Sequence, residues 1–340
     1  MSLLDLTKKY KKIEYERLKK HNKTLPFDVY SFNAKDKNYV LLAKKDAPTT
    51  RLDKAQTDEF FIHKKESGIY NSILSEDLPE YRRSFENKLQ DNSASLEEKT
   101  NALYSYADLL IENTITNVED KDKMNETKSF LGLTMDMISV NLSLLDKLQS
   151  ADDADSYIFR SSINVAIITM AFLQVLAMRN KDITPKEILN AAQGALFRDL
   201  GMTHLPRAIL HKPDKLTNQE YGFVKLHTFF GYFSLLRSQA IISHAGLNVV
   251  LYHHERQDGS GYPYGFKGPE IPFFAKAVAI CDVYNAFISD RGYRKAMSPF
   301  NAAVKLKKEW QDKFDQDLLK YFIILCGPKD LITSNIDKIK

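Results

Sequence analysis

Two kinds of hydrophobic pattern follow one another along the chain. Residues 25–45 hold two β-rich runs joined by the polar turn NAKDKN, a pattern that predicts a hairpin. A charged helix to about residue 21, and a short helix, a strand and a second helix between residues 59 and 90, give this part the pattern of a small α+β unit. We therefore predict an N-terminal domain over residues 1–90.

Helical periodicity dominates the rest of the chain. From about residue 95, apolar residues recur at intervals of three and four, the period of an amphipathic helix. Three helix starts carry a capping-box pattern, in which a Ser or Thr precedes a Glu by three positions. These pairs are Ser95 with Glu98, Thr184 with Glu187, and Thr217 with Glu220. The last pair is expected to open the helix that carries His227. The sequence thus predicts connecting helices over residues 91–150 and a helical domain over residues 151–340.

The most apolar stretch runs from Ile163 to Met178. It is interrupted by polar residues and is shorter than the ~20 residues of a membrane-spanning helix, so it predicts a buried core helix. The first twenty residues are charged throughout and have no apolar signal core. Cys281 and Cys326 are the two cysteines, and both lie in apolar sequence, which is typical of a reducing compartment. We expect a cytoplasmic protein with no membrane partner.

Composition narrows the fold class further. The chain has 13 glycines in 340 residues, below the usual share of about 7%, which makes a turn-dense all-β fold less favoured. A formal charge of +4 is spread along the chain, so no nucleic-acid partner is expected. The predicted fold class is mainly α, with an all-helical domain preceded by the small α+β domain and the connecting helices.

Candidate chemistry is concentrated in the second half of the chain, where six of the eight histidines lie between residues 204 and 254. His253 and His254 are adjacent, and His227 precedes them. Nearby Asp199 and Asp282 supply carboxylates, and imidazole with carboxylate is the ligand mix of zinc, iron or manganese hydrolytic sites. The alternative is a set of core histidines that pair with carboxylates. We favour the metal site, because buried polar groups without a role cost several kcal/mol.

The segment HHERQDGSGYP, followed by DVYNA and RGYR, resembles the HD-GYP family of bacterial enzymes that hydrolyse cyclic di-GMP. The resemblance covers roughly residues 155–310 and includes KPDKLTNQE before His227 and GPEIP after the Gly-Tyr-Pro motif. It implies an all-helical HD-type domain, metal-dependent phosphodiesterase activity, and two or three iron or manganese ions.

The metal ligands that this resemblance implies are partly retained. The retained positions are Asp199, His227, His253, His254 and Asp282. Of these, Asp199 is also the expected catalytic residue. The departures are Tyr157 for a glutamate, Ser161 and Arg198 for histidines, Met202 for a lysine and Asn285 for an aspartate. Because two ligand nitrogens are lost and Arg198 adds a fixed positive charge, we predict that the first ion site is empty. We expect one iron or manganese ion, or none.

Substrate contacts are implied at a second group of positions. These are Arg198, Lys212, Tyr262, Arg291 and Arg294. A guanidinium at Arg198 offers a bidentate fork to a phosphate, so binding can outlast catalysis. Two hypotheses remain: a degenerate HD-GYP signalling protein that binds cyclic di-GMP or a protein partner with weak or no hydrolysis, and an active phosphodiesterase with an altered metal site. A homodimer and the role of residues 1–90 are left open.

Overall fold

A computed structural model describes residues 10–327 except 14, 34–35, 37, 56, 58, 116–117, 149–153, 180–181, 211, 213, 238–240 and 291–294. The chain divides into two compact units. The first ends at Arg83, and the second begins at Ser84. The predicted boundaries at residues 90 and 150 stay a prediction. The predicted fold class is confirmed: the protein is mainly helical, with a small α+β part at its N-terminal end.

The N-terminal unit contains a four-stranded antiparallel sheet with the order β1-β4-β2-β3. Its strands are β1 Tyr10–Ile13, β2 Val29–Asn33, β3 Asn38–Ala43 and β4 Phe60–His63, and its helices are α1 Tyr15–His21 and α2 Ser67–Ser75. Helix α3, Leu78–Gln90, contains the border between the units. One face of the sheet is buried through Val29, Ile62 and their neighbours. The predicted hairpin is therefore β2 with β3.

Two local predictions differ from the structure in this unit. The opening segment was expected to be helical to about residue 21, but Tyr10–Ile13 forms β1 and only Tyr15–His21 is helical. The short helix predicted from residue 59 is also absent at His63, which ends β4 and pairs with Tyr10. Pairing between β1 and β4 satisfies the backbone of both segments, so tertiary contact overrides their local preference for helix.

Among its described residues, the C-terminal unit contains α-helices and short 3-10 turns joined by loops, and no β-strand. Its helices are α4 Leu96–Ile115, α5 Lys121–Val140, α6 Ala154–Met178, α7 Pro185–Phe197, α8 Arg207–Leu210, α9 Asn218–Lys225, α10 His227–Arg237, α11 His244–Tyr252, α12 Phe273–Ile288, α13 Pro299–Glu309 and α14 Gln316–Leu325. The three predicted capping boxes are present at the starts of α4, α7 and α9. One detail differs, because His227 opens α10 rather than lying inside the helix capped by Thr217.

Helix α6 forms the centre of this unit. Every residue from Ser161 to Leu173 is buried. The segment Phe159–Met178 is long and apolar enough to cross a membrane by length and composition, but 83% of its apolar window is buried inside the protein. This burial is what the sequence predicted for a core helix.

Glycines allow the helices that carry candidate ligands to approach closely. Helices α7 and α11 cross at Gly194 and Gly246, where a Cβ on Gly194 would lie 2.6 Å from the carbonyl oxygen of Gly246. A Cβ on Gly201 would lie 1.9 Å from the carbonyl oxygen of His227. Side chains at these positions would push apart the ends of α7, α10 and α11, so the three glycines set the positions of the histidines.

We expect Gly201→Ala to lower the free energy of unfolding by about 1–3 kcal/mol or more, because the new Cβ meets backbone that cannot move freely. Gly132→Ala is the control, since a Cβ there meets nothing within 4 Å. Gly132→Ala should raise the free energy of unfolding by roughly 0.5–1 kcal/mol, because alanine favours a helix more than glycine does. Chemical denaturation measures both changes, and equal stability of the two variants would contradict the packing argument.

Candidate metal centre

Four side chains of the C-terminal unit converge on one point. Asp199, His227, His253 and His254 each offer a ligand atom, and these atoms all lie within 4.8 Å of one another. Both His227 and His253 are fully buried, and Asp199 is partly accessible. The structure thus brings together four of the five metal-binding residues predicted from sequence.

Each ligand lies at the end of a helix rather than inside one. Asp199 follows α7 and precedes a 3-10 turn at Leu200–His204. His227 is the first residue of α10, and His253 is the C-terminal cap of α11 with His254 next to it. Helix ends leave backbone carbonyls and N–H groups without intrahelical partners, so side chains there can be fixed by local backbone contacts.

Those contacts fix the protonation pattern of the two buried imidazoles. Nδ1 of His227 lies 2.7 Å from the carbonyl oxygen of Val224, and Nδ1 of His253 lies 3.0 Å from that of Val250. A carbonyl oxygen only accepts, so each Nδ1 carries a proton, and in the neutral form of either ring Nε2 then carries a lone pair. The two Nε2 atoms are 3.5 Å apart. No hydrogen lies between two facing lone pairs, so the two nitrogens do not hydrogen-bond to each other. A cation can accept both lone pairs.

Distances and charge suit a metal ion. Oδ1 of Asp199 lies 3.5 Å from Nε2 of His227 and 3.9 Å from Nε2 of His253. Ligands about 2.0–2.2 Å from an ion are themselves roughly 3–3.5 Å apart, so small movements complete the site. Burial lowers the pKa of His253 to about 4, and desolvation with the neighbouring cationic groups lowers that of His254. The imidazoles of His253 and His254 are therefore neutral near pH 7, as metal ligands must be.

Arg198 and Asp282 lie beside this group but are directed at each other. The Arg198 side chain is 1% exposed, and its Nε donates to Oδ1 of Asp282 at 2.9 Å. Asp282 thus contacts the guanidinium and is not among the four converging ligands. The position of the Arg198 guanidinium also differs from the prediction. The sequence predicted a contact with a phosphate, but the guanidinium is buried against carboxylates.

The Gly-Tyr-Pro loop is attached to the double histidine by residues that the sequence pattern did not single out. Buried Glu255 accepts the backbone N–H groups of Tyr264 and Phe266 at 2.8 and 3.0 Å. Arg256 donates to the carbonyl oxygens of His253 and Glu255 at 3.1 and 2.9 Å. Their position directly after His254 in HHER was the available signal. These contacts hold the loop over the metal-binding group.

Tyr262 and Lys225 lie at the edge of the group. The Tyr262 ring is 4.6 Å from that of His254, and burial raises its pKa, so it stays a neutral phenol. Nζ of Lys225 lies over the rings of Tyr221 and Tyr262, at 5.0 and 5.4 Å from their centroids. Sequence reasoning missed Lys225, although it stands two residues before His227. Cation–π contacts hold its ammonium beside the Tyr262 ring, at the edge of the group.

The other predicted substrate and ligand positions have different outcomes. Lys212 forms an ion pair with Glu220 at 2.7 Å. Arg291 and Arg294 lie outside the described residues. The side chain of Tyr157 does as well. Their predicted roles stay predictions.

Residues 132–318, more than half of the chain, match the HD domain family. The chain belongs to the HD domain family. The resemblance to HD-GYP proteins within it is confirmed by relatives and by a solved structure. This HD domain chain is similar to Bd1817, an HDG"Y"P protein from Bdellovibrio bacteriovorus, with a TM-score of 0.63 over 94% of this chain and 100% of that one. Their sequence identity is 20%, so this likeness shows the fold.

Curated relatives of this HD domain chain have phosphodiesterase names. A cyclic di-GMP phosphodiesterase of Pseudomonas aeruginosa is 34% identical over 51% of this chain and 40% of its own length. A cyclic di-GMP phosphodiesterase of Vibrio cholerae is 26% identical over 75% of this chain and 51% of its own. A 3'3'-cGAMP-specific phosphodiesterase of the same species is 37% identical over 29% of this chain and 19% of its own. The chain therefore matches about half or less of each relative.

We expect His253→Ala to abolish tight binding of Mn²⁺, because it removes one of two facing nitrogens in the centre. His204→Ala is the control: His204 is exposed, bonds to Ser234 at 2.9 Å and lies outside the group of four. Elemental analysis of anaerobically loaded, desalted protein should find about one ion per chain in the parent and in His204→Ala, and almost none in His253→Ala. Retained metal in folded His253→Ala would contradict this assignment of the site.

Proposed function

We propose that this chain binds cyclic di-GMP, or a related cyclic dinucleotide, and hydrolyses it slowly with a single iron or manganese ion. The observation that carries the proposal is the pair of facing Nε2 atoms of His227 and His253, 3.5 Å apart, with Asp199 beside them. Such a donor set suits a catalytic ion better than a buried structural contact, because Asp199 is partly open to solvent. The names of the relatives supply the substrate class.

The edge of the centre suits a phosphodiester. Lys225 provides an ammonium that no carboxylate of the described residues pairs with, held between two tyrosine rings. An ammonium at such a place attracts a phosphate oxygen, and aromatic faces accept a stacked purine. The exposed ring of Tyr221 is available for this. We therefore assign phosphate contact to Lys225 and base contact to Tyr221 or Tyr262.

The chain's own residues prepare the hydrolysis. A divalent ion, when bound, supplies Lewis acidity to the phosphodiester and a water of lowered pKa. Asp199, His227, His253 and His254 would hold that ion, each with one ligand atom. The Asp199 carboxylate can accept a hydrogen bond from the attacking water and orient it. Lys225 offsets negative charge that grows on the phosphate oxygens.

The rate is expected to be low. Met202 stands three residues after Asp199, and its thioether cannot donate a hydrogen bond to a phosphate oxygen. One ion also stabilises less transition-state charge than two. Loss of a few kcal/mol of transition-state stabilisation lowers the rate roughly a hundredfold to ten-thousandfold, relative to an enzyme median of about 10 per second.

A second candidate is a binding protein without hydrolysis that senses the dinucleotide or docks a protein partner. The buried Arg198–Asp282 pair favours it, since it removes Asp282 from the group that could hold metal. A protein partner and a homodimer belong to this proposal too. The location we propose is the cytoplasm, in keeping with Cys281 and Cys326, both of which are free thiols.

Calorimetry and turnover on the Mn²⁺-loaded chain distinguish the two candidates. Cyclic di-GMP should bind at micromolar concentration, and product should form at about 0.001 to 0.1 per second. Binding with no product in excess Mn²⁺ or Fe²⁺ would select the sensor. No binding of cyclic di-GMP or 3'3'-cGAMP would reject both dinucleotide functions and favour protein docking.

Lys225→Met should weaken cyclic di-GMP binding by about tenfold to a hundredfold, since a charge-assisted hydrogen bond contributes roughly 1.5–3 kcal/mol. The methionine keeps most of the side-chain volume, and metal content should not change. Lys308→Met, on the exposed side of α13, is the matched control and should bind as the parent does. Equal affinity of the two variants would remove Lys225 from the binding site.

A further inference from the structure

Arg198 is among the largest fully buried side chains of the described residues. Its guanidinium lies between two carboxylates: Nε donates to Oδ1 of Asp282 at 2.9 Å, and Nη2 is 3.0 Å from Oδ2 of Asp199. Nη1 donates to the carbonyl oxygen of Ala195 at 3.1 Å, so the group is also tied to the last turn of α7. A buried charge needs this degree of pairing to be tolerated.

Ser161 closes the network from the core helix α6. Its Oγ accepts Nη2 of Arg198 at 2.9 Å and Nδ2 of Asn285 at 3.0 Å. Ser289 in turn donates its Oγ–H to Oδ1 of Asn285 at 3.3 Å. An ion in this place would have to displace a guanidinium with partners on α6, α7 and α12. The residues here do not fit a metal ion.

The two oxygens of Asp199 face different groups. Oδ2 contacts the guanidinium, while Oδ1 lies 3.5 Å from Nε2 of His227 on the other side. A carboxylate so placed bridges two cation positions. One of them is filled by a cation that the chain itself supplies, and the other is bounded by the imidazole nitrogens.

We propose that Arg198 is a fixed internal cation that takes the place of one metal ion, neutralises Asp199 and Asp282, and limits the centre to a single exchangeable ion. Arg198 is thus a positioning residue, which acts on the ion and substrate through Asp199. This inference deepens the proposed function and rests on it only for the ion at His227 and His253.

The decisive experiment replaces the internal cation by neutral ligands. The double variant Ser161→His with Arg198→His leaves two carboxylates and adds two imidazoles at the same place. Loaded with Mn²⁺ under anaerobic conditions and desalted, it should hold two ions per chain where the parent holds one. The matched control, Ser161→Ala with Arg198→Met, disrupts the same network without adding a ligand and should hold fewer than two.

Two results would overturn the inference. One is two Mn²⁺ ions in the parent chain. The other is a folded double variant, with the circular dichroism of the parent, that still holds a single ion.

A metal-free comparison decides the matter if the double variant does not fold or the parent holds no ion. In EDTA, Arg198→Lys keeps a positive charge between the carboxylates, whereas Arg198→Met keeps volume only. The midpoint of thermal unfolding should be at least roughly 6 °C lower for the methionine variant than for the lysine variant, because a broken buried pair leaves uncompensated charge. Equal midpoints would overturn the inference. An absent ion in the parent, by contrast, counts against the proposed function alone.

Discussion

The facing Nε2 atoms of His227 and His253, 3.5 Å apart, are the contact on which the rest of the centre depends. The Nδ1 proton of each ring is hydrogen-bonded to a backbone carbonyl that lies away from this contact. A change of tautomer would place a proton between the two Nε2 atoms, but the ring would lose that hydrogen bond. Burial also disfavours relief by protonation of His253. The fold therefore holds an arrangement that is unfavourable without a cation, and such local cost is typical of a binding site.

Keeping the two rings in place is a problem of backbone packing rather than of side-chain choice. Helix α11 can reach α7 because Gly194 and Gly246 meet without side chains, and the turn after Asp199 can reach α10 because of Gly201. The ends of three helices then meet at one point. Arg256 and Glu255 fix the loop that follows, so the motif after the double histidine is a structural continuation of the candidate metal site.

Patterns of apolar periodicity and capping predicted most of the helical unit, because each depends on a few neighbouring residues. Thr184 and Thr217 cap helices as predicted. Prediction failed where distant segments decide: Tyr10–Ile13 is a strand because β4 pairs with it. The same reason applies to Arg198. A long side chain next to Asp199 has several places to go, and its burial is decided by Ser161 and Asp282, which are 37 and 84 residues away in sequence.

The two halves of the centre differ in the source of their positive charge. On one side Arg198 offsets carboxylates permanently, at any metal concentration, because a guanidinium does not lose its proton in proteins. On the other side neutral imidazoles depend on whatever ion is present. The Lys225 ammonium is independent of both, since it contacts the rings of Tyr221 and Tyr262. Under the proposed function, recognition of a phosphate at the edge can thus persist when the ion is absent, whereas water activation cannot. Binding and hydrolysis are then expected to respond differently to metal supply.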